Sequence, residues 1–297
     1  MTRRLLRAGW LVVNLGLAVL VCLLPEDTLV PVQPISRPPA EASGPVIAPV
    51  SIVPNGRPSI RVPILMYHYI RINPVPSDWL GFGLSVTPAD FAAQMDWLAR
   101  NGYHPIDISD LRRYFTAGAE LPARPVVITL DDGSADLYTT AYPILHAHYF
   151  KAVAYIVSGF LDEPNRVTRE QVVEMDHNGI EIAAHTVSHL DMTKLSADQL
   201  HNEVFDCKVT LEGLLGHPVL DFAYPAGRFN PTVEEVVAAA GFQTAVTTRP
   251  GMDHSWDSRL TWTRVRVEGG EPLLRFIVDL GPSEDVVTKP REVWRFP

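Results

Sequence analysis

The chain has 297 residues, 46% of them hydrophobic, which is enough for one large domain or two small ones. Its net charge is −9 and its pI is near 5.5, and no lysine- or arginine-rich block follows the first few residues. These values exclude the basic footprint of a nucleic-acid-binding protein. The two cysteines, Cys22 and Cys207, are too few for a disulfide framework.

The first 24 residues are predicted to be a membrane anchor. The run from Leu5 to Leu24 is apolar apart from Arg7 and Asn14, and its length of about 20 residues matches the hydrocarbon core of a bilayer. Arginines at its start keep the N-terminus in the cytoplasm and place the rest of the chain outside. A cleaved signal peptide is the alternative, although no small-x-small cleavage site follows the run.

Residues 25–61 are predicted to be an extended linker. The segment is dense in proline and lacks aromatic residues, which favours a polyproline-like spacer between the membrane and a domain. The domain itself is predicted over 62–280, and 281–297 form a C-terminal tail.

From Val62 onward, predicted strands alternate with predicted helices. The strands are predicted at 62–70, 104–108, 125–130, 152–157, 180–184, 220–224, 244–248 and 264–267. The helices are predicted from a cap at Ser85 or Thr87 to 101, and at 109–115, 137–148, 168–178, 196–215, 231–240 and 271–280. Seven or eight strand–helix units on one chain favour a distorted (β/α) barrel with parallel strands over an open doubly wound sheet.

Two adjacent carboxylates follow the most apolar of these strands. Val126, Val127, Ile128 and Leu130 suit a strand that is buried on both faces, and Asp131, Asp132 and Gly133 come directly after it. The carboxyl ends of parallel strands are where α/β folds place their chemistry. Helix capping by an aspartate is the alternative explanation for an isolated pair of this kind.

A second predicted strand, 180–184, ends in two histidines. His185 and His189 are four residues apart, so on one face of a helical turn both imidazoles can reach the same cation. Because successive strand ends converge in a barrel, a carboxylate of the Asp pair can join them. Two histidines and one carboxylate leave coordination positions open, as in catalytic metal sites.

The two motifs resemble those of a known family. Thr129-Leu130-Asp131-Asp132-Gly133 resembles the T-F-D-D-G motif of the polysaccharide deacetylases, carbohydrate esterase family 4, and His185-Thr186-Val187-Ser188-His189 resembles its H-[S/T]-x-x-H motif. The similarity covers roughly 62–280. It implies a distorted barrel and metal-dependent removal of acetyl groups from N-acetylated sugars. It also implies that Asp131 is the general base and that Asp132, His185 and His189 hold the metal.

General chemistry agrees with these roles. A divalent metal lowers the pKa of its bound water and polarises the substrate carbonyl, while a neighbouring free carboxylate accepts the water's proton. Adjacent residues on an extended chain point to opposite sides, so the two aspartates can divide the tasks. Zinc suits the ligands best, and cobalt, nickel or manganese also fit them.

A third segment departs from the family pattern. Asp221 to Gly227 resembles the R-x-P-Y-G segment, but Ala223 stands where the arginine that orients the base is expected, and Ala226 replaces the tyrosine. The oxyanion-binding role of that position needs only a backbone N–H, so it can survive at Ala226. Tyr224 is a further candidate for a substrate contact.

The family's late histidine, which supplies the general acid, is also missing. Residues 260–267 contain no histidine. His68, at the end of the first predicted strand, is the first candidate to replace it, and His254 is the second. A buried structural histidine is the alternative for His68.

The sequence therefore predicts a monomeric, membrane-anchored polysaccharide de-N-acetylase that acts outside the cytoplasm and binds no nucleic acid. If the N-terminal segment is cleaved, the enzyme is secreted. Possible sugar contacts are Asp78, Trp79, Trp256 and Trp262. Two alternatives remain: an acetyl-ester or small-amide hydrolase with the same metal site, and a carbohydrate-binding protein whose catalytic site has decayed.

Overall fold

The computed structural model describes residues 56–57, 59–75 and 77–281. The predicted anchor, most of the predicted linker and the tail after Gly281 lie outside these residues. Within the described ranges, none of the helices has both the length and the hydropathy needed to cross a bilayer.

The secondary structure follows the predicted alternation. The strands are β1 (Ile60–Arg61), β2 (Ile64–Tyr67), β3 (Tyr69–Ile70), β4 (Ser85–Val86), β5 (His104–Ile106), β6 (Pro125–Leu130), β7 (Ala152–Ile156), β8 (Ile180–Ala184), β9 (Asp221–Ala223), β10 (Thr244–Pro250), β11 (Asp253–His254) and β12 (Trp262–Arg266). The helices are α1 (Trp79–Leu84), α2 (Pro88–Arg100), α3 (Ile108–Ala117), α4 (Tyr142–Ala147), α5 (Arg169–His177), α6 (Ala197–Leu215), α7 (Pro231–Ala239) and α8 (Leu273–Asp279). A π-helical turn, Leu137–Ala141, leads into α4.

Seven parallel strands close into a ring. The order of pairing is β2, β12, β10, β9, β8, β7 and β6, and β2 pairs again with β6. This closure confirms the barrel and excludes the open sheet. The eighth strand, β5, pairs with the first half of β6, and β7 pairs with its second half. The barrel is distorted at this point because two strands share one edge of β6.

Side-chain alternation along β6 divides the core into two layers. Val126, Ile128 and Leu130 pack outward with the helices, whereas Val127 packs into the barrel interior with side chains such as Tyr155. Thr129 and Asp131 continue the inward-facing row toward the rim at the carboxyl ends of the strands. The position of the first catalytic candidate is thus a consequence of strand periodicity.

The predicted helix starts are capped as the sequence suggests. Thr87, rather than Ser85, caps α2, and Thr168 and Ser196 form capping boxes at the starts of α5 and α6. The start of the domain differs from the prediction. Ile60 and Arg61 pair with β11, so the domain begins within the segment predicted as linker.

The floor of the barrel, opposite the rim, holds a cluster of buried and partly buried charged side chains. Arg112 pairs with Asp221 at the start of β9, and Glu181 of β8 accepts a hydrogen bond from the Ser109 N–H. Burial, followed by the nearby charge of Asp221, raises the pKa of Glu181 well above its usual range, while Arg112 opposes this rise. Nearby Asp107, which bonds to Lys151, raises it further.

Replacing this glutamate, Glu181→Gln, is expected to increase stability at neutral pH. Because the folded-state pKa is raised, the native protein binds a proton that the unfolded chain has released, and the wild type loses stability as pH rises above about 4.3. Glutamine mimics the protonated form. The free energy of unfolding at pH 7 should increase on the order of 1 kcal/mol. Urea unfolding at several pH values measures it.

The difference should vanish below about pH 4, where glutamate is protonated in both states. Glu235→Gln, an exposed position on α7, is the matched control and should show no such trend. A Glu181→Gln variant that is less stable than wild type at every pH would contradict the expectation.

Candidate active site

The rim of the barrel gathers the residues that the motifs predict to act together. Asp131 and Asp132 follow β6, His185 follows β8, and His68 follows β2. His189 reaches the same point from the turn after β8. Parallel strand ends converge on one rim, which is why residues that are distant in sequence meet here.

Asp132, His185 and His189 form a group that can hold a metal ion. One ligand atom from each lies within 4.8 Å of the others. The Oδ1 atom of Asp132 is 3.5 Å from the Nε2 of His185 and 3.4 Å from the Nε2 of His189. This Oδ1 is buried and has no hydrogen-bond partner. An orphaned carboxylate oxygen between two imidazole nitrogens fits a divalent cation, so the donor set suits the metal that the family implies.

Further contacts orient these ligands. The Nδ1 of His185 bonds to the Ala223 carbonyl oxygen at 2.7 Å, which places the ring proton there and turns the Nε2 lone pair toward the site. The hydroxyl of Tyr69 donates to the other oxygen of Asp132, Oδ2, at 3.1 Å. The sequence analysis missed Tyr69, although it directly follows His68 on the same rim.

The histidine pair converges by a different route from the expected helical turn. Residues 185–189 are not helical: Thr186 and His189 both have left-handed backbone angles, with φ of 64° and 54°. The tight left-handed turn folds the chain back and brings the two rings within 4.8 Å, centroid to centroid. The prediction of convergence is confirmed, and the predicted helical geometry is wrong.

The two aspartates divide in direction, also with a different backbone than expected. Asp132 has φ of 74° rather than an extended conformation, and Gly133 follows with φ of 68°. A Cβ at residue 133 would lie 3.2 Å from the Cδ1 of Ile156, so glycine suits both the angle and the space. The left-handed step sends Asp131 into the barrel and Asp132 toward the histidines. Neither acts as the helix cap considered from sequence.

Arg264 supplies the contact that seemed to be missing at Ala223. It donates two hydrogen bonds to the two oxygens of Asp131, both at 2.7 Å, and its side chain is 0% exposed. Ala223 and Arg264 lie on different strands, β9 and β12, but both face the barrel interior. The arginine that is absent at the position of Ala223 is therefore supplied by β12. The arginine at the third position of β12, two residues after Trp262, was the sequence signal for this role.

The electrostatic environment suits ionised aspartates and a neutral His189, whereas at His185 burial is outweighed by Asp132 and Asp131, which raise the pKa of the imidazole. Burial opposes ionisation of Asp131, but the Arg264 guanidinium outweighs it and lowers the pKa of the carboxyl below its usual value. For His189, burial and then the charge of His185 lower the pKa. A neutral imidazole is the form that binds a metal. For Asp132, burial opposes ionisation, but the nearby imidazoles of His185, His68 and His189 outweigh it and leave the pKa of the carboxyl lowered.

Of the two candidates for the general acid, only His68 lies at the rim. Its Nε2 is 3.9 Å from the Oδ2 of Asp131, and its side chain is 14% exposed. Burial lowers the pKa of His68, and Asp131 partly opposes this. His254 is fully buried on β11, and its Nε2 bonds to the carbonyl oxygen of Val62, before β2 begins. His254 lies at the floor end of the barrel, so that candidate is wrong.

In the segment from Asp221 to Gly227, Tyr224 lies in the core and Ala226 lies at the rim. The Tyr224 ring is buried in the layer between strands and helices, stacked on Phe229 at 4.9 Å, so its predicted substrate contact is wrong for the side chain. Ala226 is exposed and has a left-handed φ of 50° in the turn after β9. The hydrogen bonds of this turn come from the N–H groups of Gly227 and Arg228, which leaves the Ala226 N–H outside them.

The predicted sugar contacts also divide. Trp256 and Trp262 are buried in the inner core beside Phe115, so neither can stack on a sugar, and that prediction is wrong for both. Asp78 caps α1 through its side chain. Trp79 is 82% exposed on α1 and stays a predicted contact.

Comparisons with known proteins agree with the motifs. A family model described as polysaccharide deacetylase matches residues 118–245. YxkH of Bacillus subtilis (strain 168), named as a polysaccharide deacetylase, is 32% identical over 210 residues, which are 71% of this chain and 72% of that protein. A peptidoglycan-N-acetylglucosamine deacetylase of Bacillus cereus is 30% identical over 54% of this chain and 70% of its own length. The Streptococcus pyogenes deacetylase PplD in complex with acetate is 28% identical, with a TM-score of 0.70 over 76% of this chain and 100% of that one.

The Arg264 contact predicts a large loss of stability on substitution. Arg264→Met leaves the Asp131 carboxylate buried without its partner, and the free energy of unfolding should fall by about 3–5 kcal/mol. Chemical denaturation measures the change. Arg266→Met, two residues along β12 and more exposed, is the control and should cost much less.

The double variant Arg264→Met/Asp131→Asn separates charge from packing. It removes the unpaired charge and should recover part of the lost stability. Equal losses in Arg264→Met and Arg266→Met would contradict this account of the buried pair.

Proposed function

Because this chain belongs to the polysaccharide deacetylase family, we propose that it removes N-acetyl groups from an amino-sugar polysaccharide in a metal-dependent reaction. The family resemblance of the two motifs is confirmed, and so is the expectation of a hydrolase acting on carbon–nitrogen bonds. The polymer is proposed to belong to the envelope or the extracellular space. Peptidoglycan, chitin-like oligomers and poly-N-acetylglucosamine are the substrates to test.

The observation that carries the proposal is that the two aspartates at the carboxyl end of β6 have different partners. Asp132 faces His185 and His189, while Asp131 is held apart from them by Arg264. One acid is thus available to a cation and its neighbour is available to a proton. A carbohydrate-binding protein has no need of this arrangement, and the arginine whose absence suggested a decayed site is present in another strand.

Asp132, His185 and His189 are the residues that would hold the metal. Zinc is proposed because borderline-soft imidazole and carboxylate ligands suit it, and cobalt, nickel or manganese are the alternatives. When bound, such an ion supplies Lewis-acid polarisation of the acetyl carbonyl and acidifies water. The Tyr69 hydroxyl and the Ala223 carbonyl oxygen already bond to Asp132 and His185 and orient them.

Asp131 is proposed to accept the proton of the attacking water. Arg264 uses one hydrogen-bonding direction on each carboxylate oxygen, and a carboxylate offers about four such directions, so acceptor capacity remains. The same two-point contact prevents the carboxylate from rotating toward the metal ligands. The base is therefore ionised and oriented before substrate arrives.

His68 is proposed to protonate the leaving amine. Its Nε2 lies 3.9 Å from Asp131 Oδ2, close enough for a small shift to bring the two into contact. The proton that leaves water for Asp131 can then pass to His68 and on to the amine nitrogen as the carbon–nitrogen bond breaks. This path returns both side chains to their starting protonation states.

Ala226 is proposed to bind the developing oxyanion through its backbone N–H. The left-handed turn after β9 exposes this residue at the rim, and the hydrogen bonds of the turn do not use its N–H. Backbone donors that are fixed in place before the reaction are worth roughly 3 kcal/mol to the transition state of acyl transfer.

The location of the enzyme is likewise a proposal. The apolar run from Leu5 to Leu24 with its arginines supports an anchor that leaves the catalytic domain outside the cytoplasm. The proline-rich segment that follows supports an extended spacer, which would let the rim reach a polymer at some distance from the membrane.

Asp131→Asn is expected to lower kcat by about 100- to 10,000-fold, because the amide cannot accept the proton. Acetate release from N-acetylglucosamine oligomers, peptidoglycan and poly-N-acetylglucosamine measures it, with an acetyl ester included for comparison. Bound metal should not change. Asp176→Asn, a carboxylate on α5 that pairs with His217, is the control and should keep full activity. Full activity of Asp131→Asn would sink the base assignment.

His68→Gln is expected to lower kcat for amide substrates by about 100- to 10,000-fold while KM and metal content stay near wild type. The effect on esters should be smaller, since an alkoxide leaving group needs less protonation than an amine. His148→Gln, beside Asp96 on the surface, is the matched control. If amide and ester hydrolysis fell equally, a proton-donor role for His68 would be ruled out.

A further inference from the structure

The turn that carries the two histidines has an unfavourable backbone conformation. Thr186 and His189 are both left-handed, and for a β-branched residue such as Thr186 this is a true outlier. A residue of this kind is strained and persists only where its surroundings hold it. The contacts that hold residues 186–189 therefore decide where the His189 ring points.

One side of the turn is held by the segment after β7. The N–H groups of Ser158 and Gly159 donate to the carbonyl oxygens of Thr186 and Val187, both at 3.0 Å. A Cβ at residue 159 would lie 2.5 Å from the Val187 oxygen, so the approach is possible only at a glycine. Inside the turn, Thr186 Oγ1 accepts the His189 N–H at 3.0 Å.

The other side of the turn is held by a carboxylate from helix α6. The Oε2 atom of Glu203 accepts hydrogen bonds from the N–H groups of Val187 at 3.0 Å and Ser188 at 2.8 Å. Glu203 is 8% exposed and lies on the apolar face of α6 between Leu200 and Val204. Successive N–H groups that converge on one anion form a nest, and here the anion belongs to the protein itself.

We propose that Glu203 is a positioning residue for the metal site, acting through the turn that links His185 to His189. It touches neither ring. It holds the two amides between them, so it fixes the direction from which His189 reaches Asp132. This inference rests on the proposed metal-dependent function, because it assigns Glu203 a role in metal affinity rather than in the fold alone.

The chemistry of the nest predicts how substitutions should behave. Glu203→Leu fills the space but leaves both amides without an acceptor, so the turn can relax and His189 can leave its position. Glu203→Gln keeps one acceptor oxygen and loses the charge, so it should act as a partial rescue. Supporting residues of this kind typically contribute about 10- to 100-fold to metal affinity.

The test is zinc and cobalt binding by the full-length chain, measured by calorimetry and by equilibrium dialysis. Glu203→Leu should weaken affinity by about 10- to 100-fold, and Glu203→Gln should fall between it and wild type. In the metal-free state, amide hydrogen exchange of Glu203→Leu should show lower protection at Val187 and Ser188 than in the wild type. Glu212→Gln is the matched control, because Glu212 also lies on α6 and accepts a backbone N–H, that of Val219, away from the site.

The outcomes separate this inference from the proposed function. If the wild type binds no divalent ion, the metal site itself fails, and the role of Glu203 fails with it. If the wild type binds the ion and the folded Glu203 variants bind it equally well, the positioning role is overturned and the proposed function stands. Lower thermal stability with unchanged metal affinity would assign Glu203 to the fold alone, and this result too would overturn the inference.

Discussion

The buried contact between Arg264 and Asp131 is the interaction on which the arrangement of the rim depends. An ionised carboxylate inside a barrel is costly unless a cation is held against it with good geometry. Arg264 also donates to the Thr247 carbonyl oxygen and to Thr129 Oγ1, so its guanidinium joins β6, β10 and β12 at one level. With Asp131 balanced in this way, the charge of Asp132 is left to face the histidines. Two neighbouring acids thereby have different surroundings, one paired with a guanidinium and the other facing imidazoles.

Backbone strain is concentrated at the same rim. Of the eight non-glycine residues with left-handed angles in the described part of the chain, four belong to the site: Asp132, Thr186, His189 and Ala226. Such conformations persist where surrounding contacts hold them, and they cluster at functional sites because they aim groups that regular structure cannot aim. The packed layers of the barrel below the rim hold these strained conformations in place. The side chains of the candidate site are therefore positioned by the fold itself.

The barrel and the meeting of the candidate metal-binding side chains could be predicted from sequence because both depend on local patterns. Strand periodicity and two short motifs predicted that Asp132, His185 and His189 meet at one rim, and the structure brings them together there. What sequence could not give was the partner of each motif across the fold. Arg264 lies in a short strand with a second arginine, and Glu203 lies on the apolar face of α6. Nothing in either segment shows which group the charged side chain contacts across the fold. Loop geometry was missed as well, since left-handed turns at non-glycine residues have no reliable signature.

The position of the arginine has a consequence for how such enzymes diverge. Ala223 and Arg264 lie on strands that are separated by β10 in the ring, yet both face one central space. A closed ring lets several strands reach the same point, so a charge can be exchanged between strands while the group it serves stays fixed. Evolution in this architecture can thus conserve a spatial pattern while aligned columns change. When a homologue lacks a motif residue in an alignment, the side chain that occupies the same space in its structure shows whether the contact is retained.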